Sequence, residues 1–512
     1  MPISKSTEVF NLVKSLSTAE KRNFRLYAKR ILSSDNLLFL RLFDIMDKQK
    51  SLDENELLKQ MGGITKGQYA NIKRHLYKQM ISSLRMLHKE KKANFQVREY
   101  LDYTYILYGK GLYLQALKIL RKAKKIAQQH HLIYMQLTLL EFEKKIESRH
   151  ITRSGINQGT ILIEESTHLQ QNADHLVRLS NLRIKIHAKY LQTGHIRNKK
   201  EAQQIKEYYH KELEPINLKS LGLNEKIYYV QSRVWYNYIL LDFKSCMKYA
   251  IEWVTILEQN PKIIERDVDL YMRGYHYILT TAIHMKDKKT HHFFLEKFEN
   301  YRTRTYKKFN ANSQILSFLY VHTGRLDSII LNGNYDSADK ILLKTQARIR
   351  KYGYKLDPHR IMVFYYKFAW INLGNGNITK AITHLDKIIN NELKKLREDL
   401  QNYARIMKLM CHYDLGNIGI LEYLLNTYSN YFDRKKGLNT FLIHTIKLFK
   451  ELRTKGVSDH REILERYLSV FNKIKKDPYE KRAFVYLDIQ SWIISKIRNE
   501  SIQTVTQNYD LH

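Results

Sequence analysis

Several segments of this chain repeat one short pattern: a turn, then a compact side chain, then residues of the same helical face four and seven positions further on. Gly111-Leu112-Tyr113 precedes Ala116, Leu120 and Ala123; Gly333-Asn334-Tyr335 precedes Ala338, Leu342 and Thr345. Gly376-Asn377-Ile378 precedes Ala381, Leu385 and Ile388; Gly416-Asn417-Ile418 precedes Leu421, Leu425 and Tyr428. Fainter copies are Asp242-Phe243 with Cys246, Ala250 and Trp253, Asp287-Lys288 with His291, Leu295 and Phe298, and a turnless one at Leu464, Leu468 and Phe471. The compact positions 246, 291, 338, 381, 421 and 464 step by 45, 47, 43, 40 and 43 residues. The interval from 116 to 246 holds about three such units, the middle two marked weakly near Thr160 and Ala202. Offsets of four and seven place three side chains on one helical face. A period near 43 is one helix-turn-helix hairpin per unit, and a hairpin hides its apolar face only by stacking on its neighbours. The pattern therefore predicts an all-α chain: a right-handed superhelix of about eight or nine helix-turn-helix repeats over residues 93–478. Residues 1–92 read as a separate basic helical module, 479–498 as one helix capping the open end of the stack, and 499–512 as a flexible polar tail.

The turn–Ala–x3–Leu–x2–Ala/Ile grammar resembles the tetratricopeptide-repeat superfamily, in particular its degenerate members with units longer than about 34 residues. The likeness covers residues 97–475. The proline usual after the second helix is missing from most units, although Pro261 and Pro358 fall near such places, so another two-helix α-solenoid stays open, as does a plain helical bundle. The resemblance implies that the first helix of each hairpin lines a concave groove that binds a protein or peptide. Projected backwards, the grammar puts Tyr105, Tyr108, Trp235, Tyr238, Tyr366 and Trp370 on first helices. Aromatics there can anchor a peptide or stack on bases; packing between neighbouring first helices is the competing role.

Composition narrows the classes. With 44% hydrophobic and 12% aromatic residues, and only 19 Gly and 5 Pro in 512, the chain is neither collagen-like nor disordered throughout. No run approaches 18 apolar residues, so no membrane span is expected, and the opening MPISKSTEVF has no apolar h-region of a signal peptide. Cys246 and Cys411 stand far apart in apolar patterns, as small core residues do in a reducing compartment, so a cytoplasmic location is expected. The 87 Lys and Arg against 51 Asp and Glu give a formal charge of +36. Such a field attracts polyanions, with DNA or RNA as candidates; compositional drift towards Lys is the alternative.

In the N-terminal module, Ser17 and Glu20 form a capping-box signature, a third helix occupies 36–48, and Glu54–Met61 precedes Gly62-Gly63 and a long helix from Thr65 to about 92. A short helix, a glycine turn and a longer basic helix is the outline of a helix-turn-helix. On the long helix Tyr69, Ile72, Leu76, Met80, Leu84 and Leu87 share one face, and Arg74, Lys78, Arg85 and Lys89 lie nearly opposite. That stripe can neutralise successive phosphates, and Lys66, Gln68 and Asn71 near its start can reach base edges. A solvated amphipathic face explains the same stripe. The stretch LVKSLSTAEKRNFRLYAK is similar to the start of uncharacterised bacterial repeat proteins, a likeness that implies no activity.

No phosphate-wrapping, dinucleotide, zincin or nucleophile-elbow motif occurs. His291-His292 and His130-His131 are adjacent and diverge on a helix, and His276 and His284 sit two turns apart, so all read as ordinary helical histidines. Glu164-Glu165 and Glu141/Glu143 read as solvated acids. No catalytic residue, cofactor or metal is expected. The function predicted is a non-enzymatic scaffold holding a protein or peptide in its groove. The alternative is a nucleic-acid-binding regulator that uses the basic helices and keeps the repeats as sensor.

Overall fold

The computed structural model describes residues 6–31, 38–89, 92–149, 156–353, 356–390, 397–433 and 439–508. Among these residues all regular structure is helical and there is no strand. No described helix is long and apolar enough to cross a membrane. The chain divides into two compact units, residues 1–173 and 174–512.

The first unit holds α1 (Ser6–Ser15), α2 (Thr18–Ile31), α3 (Leu38–Lys48), α4 (Glu54–Gln60), α5 (Lys66–Lys89), α6 (Ala93–Gly109), α7 (Tyr113–Gln129), α8 (Ile133–Arg149) and the start of α9 (Ile156–Thr193). The capping box forms as its residues dictate: the Ser17 N–H donates to Glu20 Oε2 at 2.8 Å, and the Glu20 N–H to Ser17 Oγ at 3.3 Å. Helices α1, α2 and α3 pack on α5 through a core of Val13, Phe24, Phe43, Met46, Leu76 and Met80. Consecutive glycines, Gly62 (φ 82°) and Gly63 (φ 77°), turn the chain between α4 and α5 in the left-handed region. Glu143, expected to be a solvated acid, is 2% exposed, and Lys124 Nζ bridges it (2.7 Å) to Glu165 (2.8 Å). An isolated buried carboxylate is expensive, so it recruits a cation.

The second unit continues α9 and adds α10 (Lys199–Leu213), α11 (Leu223–Ile239), α12 (Phe243–Glu258), α13 (Pro261–Arg266), α14 (Val268–His284), α15 (Lys288–Thr305), α16 (Ala311–Asn332), α17 (Asp339–Tyr352), α18 (Pro358–Gly374), α19 (Ile378–Ile389), α20 (Glu398–Asp414), α21 (Ile418–Asp433), α22 (Thr440–Thr454), α23 (His460–Lys476), α24 (Lys481–Tyr486), α25 (Ile489–Arg498) and α26 (Ile502–Asn508). Helices pair in sequence, α11 with α12, α14 with α15, α16 with α17, α18 with α19 and α20 with α21. The leading helix of a pair also packs on that of the next: α14 on α16, α16 on α18, α18 on α20, α20 on α22.

Burial follows the sequence pattern. The compact positions Cys246, His291, Ala338, Ala381, Leu421 and Leu464 are all buried, as are the residues seven later, Trp253, Phe298, Thr345, Ile388, Tyr428 and Phe471. The turns share one construction. A residue with positive φ ends the leading helix, and the next N–H reaches back five residues: Asp242 to the Asn237 carbonyl (3.0 Å), Asp287 to Ala282 (2.9 Å), Asn334 to Ile329 (3.1 Å), Asn377 to Asn372 (2.8 Å) and Asn417 to His412 (3.0 Å). The left-handed residue is glycine at 333, 376 and 416 but Leu241 (φ 62°) and Lys286 (φ 56°) in the two fainter copies. Those turns looked weak in sequence because they lack the glycine, not the geometry. There the following aspartate caps the next helix, Asp242 Oδ1 accepting from the Ser245 N–H (3.0 Å) and Asp287 Oδ1 from Thr290 (2.9 Å).

The C-terminal segment departs from expectation. Instead of one helix over 479–498 there are two, broken at Leu487-Asp488, where Asp488 Oδ1 accepts from the Ser491 N–H (3.2 Å) and starts α25. Of the supposed tail over 499–512, Ile502–Asn508 folds as α26 with Ile502 and Val505 buried, and 509–512 lie outside the described residues. Gln503 Oε1 accepts from the N–H groups of Tyr335 (3.1 Å) and Asp336 (3.2 Å), and Gln507 Nε2 donates to the Gly333 carbonyl (3.1 Å). The segment thus anchors on the turn between α16 and α17.

Candidate ligand cavity

The leading helices of the second unit converge on a cavity of about 740 Å³. Its wall takes the end of α9 (His187, Tyr190), α11 (Trp235, Tyr238), α14 (His276, Tyr277, Thr280, His284), α16 (Thr323, Asp327) and α18 (Arg360, Val363, Tyr366, Lys367, Trp370), with Arg397 and residues 484–491 closing it. Closure brings distant segments together: a Cβ on Gly194 would lie 3.8 Å from Tyr486 Oη and 3.9 Å from Asp399 Oδ2.

Four of the six aromatics expected on first helices meet here. Trp235 packs against His187 at 4.1 Å between ring centroids and edge-on to Tyr277 at 5.2 Å. Tyr238 Oη lies 3.2 Å from His284 Nε2. Tyr366 Oη donates to the Tyr486 carbonyl (2.9 Å), and Trp370 Nε1 donates to Tyr335 Oη (3.3 Å). These bonds fix the rings as wall. The other two, Tyr105 and Tyr108, belong to the first unit. Tyr105, 53% exposed, stacks on Phe142 at 4.3 Å, and Tyr108 packs edge-on to Tyr113 and Phe142.

The cavity is cationic. Eight Lys and Arg residues line it against three acids, and each acid is engaged. Asp327 pairs with Lys367, Asp488 lies 3.6 Å from Lys286, and Asp242 caps α12. Arg397 (φ 52°) sits in the left-handed region and forms a two-pronged pair with Asp399, Nε to Oδ1 at 2.8 Å and Nη2 to Oδ2 at 3.0 Å. Despite the cost of its burial, Asp399 is held at about 2 by that guanidinium.

Five histidines line the same space: His187, His195, His276, His284 and His359. Burial lowers His187 to about 4, reinforced by Arg273, Arg360 and Arg183; burial with Arg397 and Arg360 lowers His359 to about 4. Burial pushes His276 and His284 well below the ordinary value as well. Near neutral pH these four rings carry no charge. His276 and His284 share a helical face two turns apart, and Thr280 stands between them on it. On α18, stepping back from Trp370 and Tyr366 by three and four residues reaches Lys367, Val363, Arg360 and His359. Arg397 lies just outside a helix and no periodicity finds it. Among the described residues no group of three or more His, Cys, Asp or Glu side chains is placed to hold a metal ion.

The seven basic-module candidates all lie on α5. Lys66, Gln68, Asn71, Arg74, Lys78 and Arg85 are exposed and Lys89 is half-buried. Several serve the helix itself. The Thr65 N–H donates to Gln68 Oε1 (2.8 Å) and the Gln68 N–H to Thr65 Oγ1 (3.2 Å), a second capping box. Arg74 Nη1 donates to Asn71 Oδ1 (3.2 Å). Arg85 pairs with Asp102 (3.1 Å) and Lys89 with Glu99 (3.0 Å), tying α5 to α6.

No protein-family model, no curated protein and no solved structure matches this chain.

Proposed function

We propose that the chain is a non-enzymatic helical-repeat receptor that binds a short peptide in the cavity of residues 174–512. The observation that carries this reading is the convergence of Trp235, Tyr238, Tyr366 and Trp370, from two separate helices, on one cavity of about 740 Å³. That volume falls in the range of roughly 300–1,000 Å³ typical of ligand sites. It suits a peptide segment rather than a folded partner. Aromatic walls with fixed polar tips bury area at little entropic cost and orient a backbone. In this reading the pairs form a right-handed superhelix of about eight or nine units of the tetratricopeptide-like type, whose concave side is the cavity wall.

The test is calorimetric titration of the full chain with a randomised hexapeptide mixture, beside Val363→Trp, which places an indole in the cavity from its α18 wall. Saturable binding to the native chain, lost in a Val363→Trp protein that melts normally, supports the reading. Equal binding by both, or by neither, removes it.

The second reading, a nucleic-acid-binding regulator, is favoured by one feature: Lys66, Arg74 and Lys78 remain exposed on α5 behind the Gly62-Gly63 turn. Phosphate contacts by these residues would show as a salt-dependent affinity for DNA or RNA.

A further inference from the structure

We infer that the cavity is an anion site in which Arg360 takes a carboxylate of the occupant; what carries that carboxylate rests on the peptide reading above.

The inference starts from how the second unit treats its other low-exposure cations. Lys367 is paired with Asp327, Arg397 with Asp399, Lys408 with Asp386 and Lys496 with Asp414. Buried charge demands this, because an unpaired ion away from water is strongly unfavourable. Other partly buried arginines, Arg233, Arg302 and Arg405, are met by tyrosine rings and polar groups instead, and three more gather around His187. Among the described residues, Arg183, Arg273 and Arg360 have no carboxylate partner. Arg183 Nη1 donates to the Gln231 amide oxygen (2.9 Å) while its buried Nε has no partner, and its guanidinium faces the Tyr228 ring at 5.1 Å. Arg273 is favoured electrostatically by Tyr320, Tyr277 and, least, Asp267. Arg360 Nη1 donates to His276 Nε2 at 3.2 Å and faces the Tyr320 ring at 5.8 Å. All three act on one imidazole, His187, and Arg183 and Arg273 act unfavourably on each other. Positive potential is gathered around His187, and of the three only Arg360 lines the cavity.

The neighbours prepare Arg360 for a ligand. An arginine can only donate, so His276 Nε2 must accept; the ring proton then sits on Nδ1, which faces Thr280 Oγ1 at 3.4 Å. Neutral His276, stacked on Tyr320 at 4.5 Å, thus holds one prong of the guanidinium. The other prongs are left for the cavity that Arg360 lines. Planar two-pronged recognition of a carboxylate is what a guanidinium offers. The Trp235–His187 pair beside it is a flat apolar surface for the rest of the ligand. Desolvated donors of this kind discriminate strongly against a neutral isostere, because the site's own charge stays uncompensated when the ligand lacks one.

The experiment uses the full chain and three fluorescently labelled hexapeptide mixtures: one neutral except for a free C-terminal carboxylate, one amidated with a single fixed Glu, and one amidated with Gln in its place. Anisotropy is read with native protein, Arg360→Gln and Arg360→Lys, and melting is followed with glutarate alone. The expected result is at least about tenfold tighter binding of a carboxylate-bearing mixture than of the Gln mixture. That preference collapses in Arg360→Gln and is partly kept in Arg360→Lys, which also controls for folding. Equal binding of all three mixtures overturns the anion inference and leaves the peptide reading standing. Glutarate stabilising the native chain but not Arg360→Gln, with no mixture bound, supports the anion site and removes the peptide. No response to any probe overturns both.

Discussion

Asp399→Asn isolates the buried ion pair that closes the cavity. Arg397 and Asp399 have side chains 9% and 24% exposed and share two hydrogen bonds. The substitution keeps the shape and removes the charge. Linkage gives a first magnitude: a carboxyl held at about 2 in the folded chain against 3.8 otherwise contributes about 2 kcal/mol at pH 7. Stranding a buried guanidinium usually costs more, ~3–5 kcal/mol, and partial exposure of the aspartate pulls towards the lower figure. A loss of about 2–4 kcal/mol is therefore expected. The four tryptophans, Trp235, Trp253, Trp370 and Trp492, all lie in residues 174–512, so urea unfolding followed by tryptophan fluorescence reports on this unit. Because the folded value is depressed, the contribution is complete above pH 3.8 and disappears as pH falls through about 2. The gap between native and variant chains should narrow over that window. A variant within about 0.5 kcal/mol of native at pH 7 refutes the claim that the pair holds this end of the cavity.

Three further outcomes follow from the same geometry. His187 and His359, lowered to about 4 from 6.5, make the unfolded chain the better proton acceptor. Stability should therefore fall between pH 7 and 4, by up to ~1.4 kcal/mol per pH unit per histidine, and His359→Asn should flatten the slope; a pH-independent midpoint would contradict this. Gly374→Ala would place a methyl 2.5 Å from the Tyr335 ring, so a loss of roughly 1–3 kcal/mol is expected despite the better helix propensity, and a stabilised protein in thermal melts counts against the close approach. Reversing Arg74 and Lys78 to Glu should leave melting unchanged, since both are exposed. If the second reading holds, it should reduce the salt slope of DNA binding by about 2, whereas an unchanged slope clears α5 of phosphate contact.

What was legible in the sequence was local. A compact side chain followed at four and seven by apolar ones is a statement about one helical face, and Cys246, Ala250 and Trp253 are buried as that face requires. Ser17 with Glu20 is a capping box in both. Trp235, Tyr238, Tyr366 and Trp370 share one wall, as their projection onto leading helices led one to expect. Long-range pairings were not legible: Gln503 reaches Tyr335 across 168 residues and leaves no periodic trace. Nor was the short Arg397–Asp399 pair, which rests on a left-handed residue at the start of a helix. Glu143 was misjudged for the same reason: its partner Lys124 sits on another helix. Leu241 and Lys286 hid two turns by standing where glycine is usual.

The most direct test of the receptor account is hydrogen exchange of the full chain with and without a saturating hexapeptide mixture. If the leading helices form the binding wall, added protection should fall on residues 223–239, 268–284 and 358–374 and spare 243–258, 288–305 and 378–389. Protection confined to those second helices, or to α5, would contradict it.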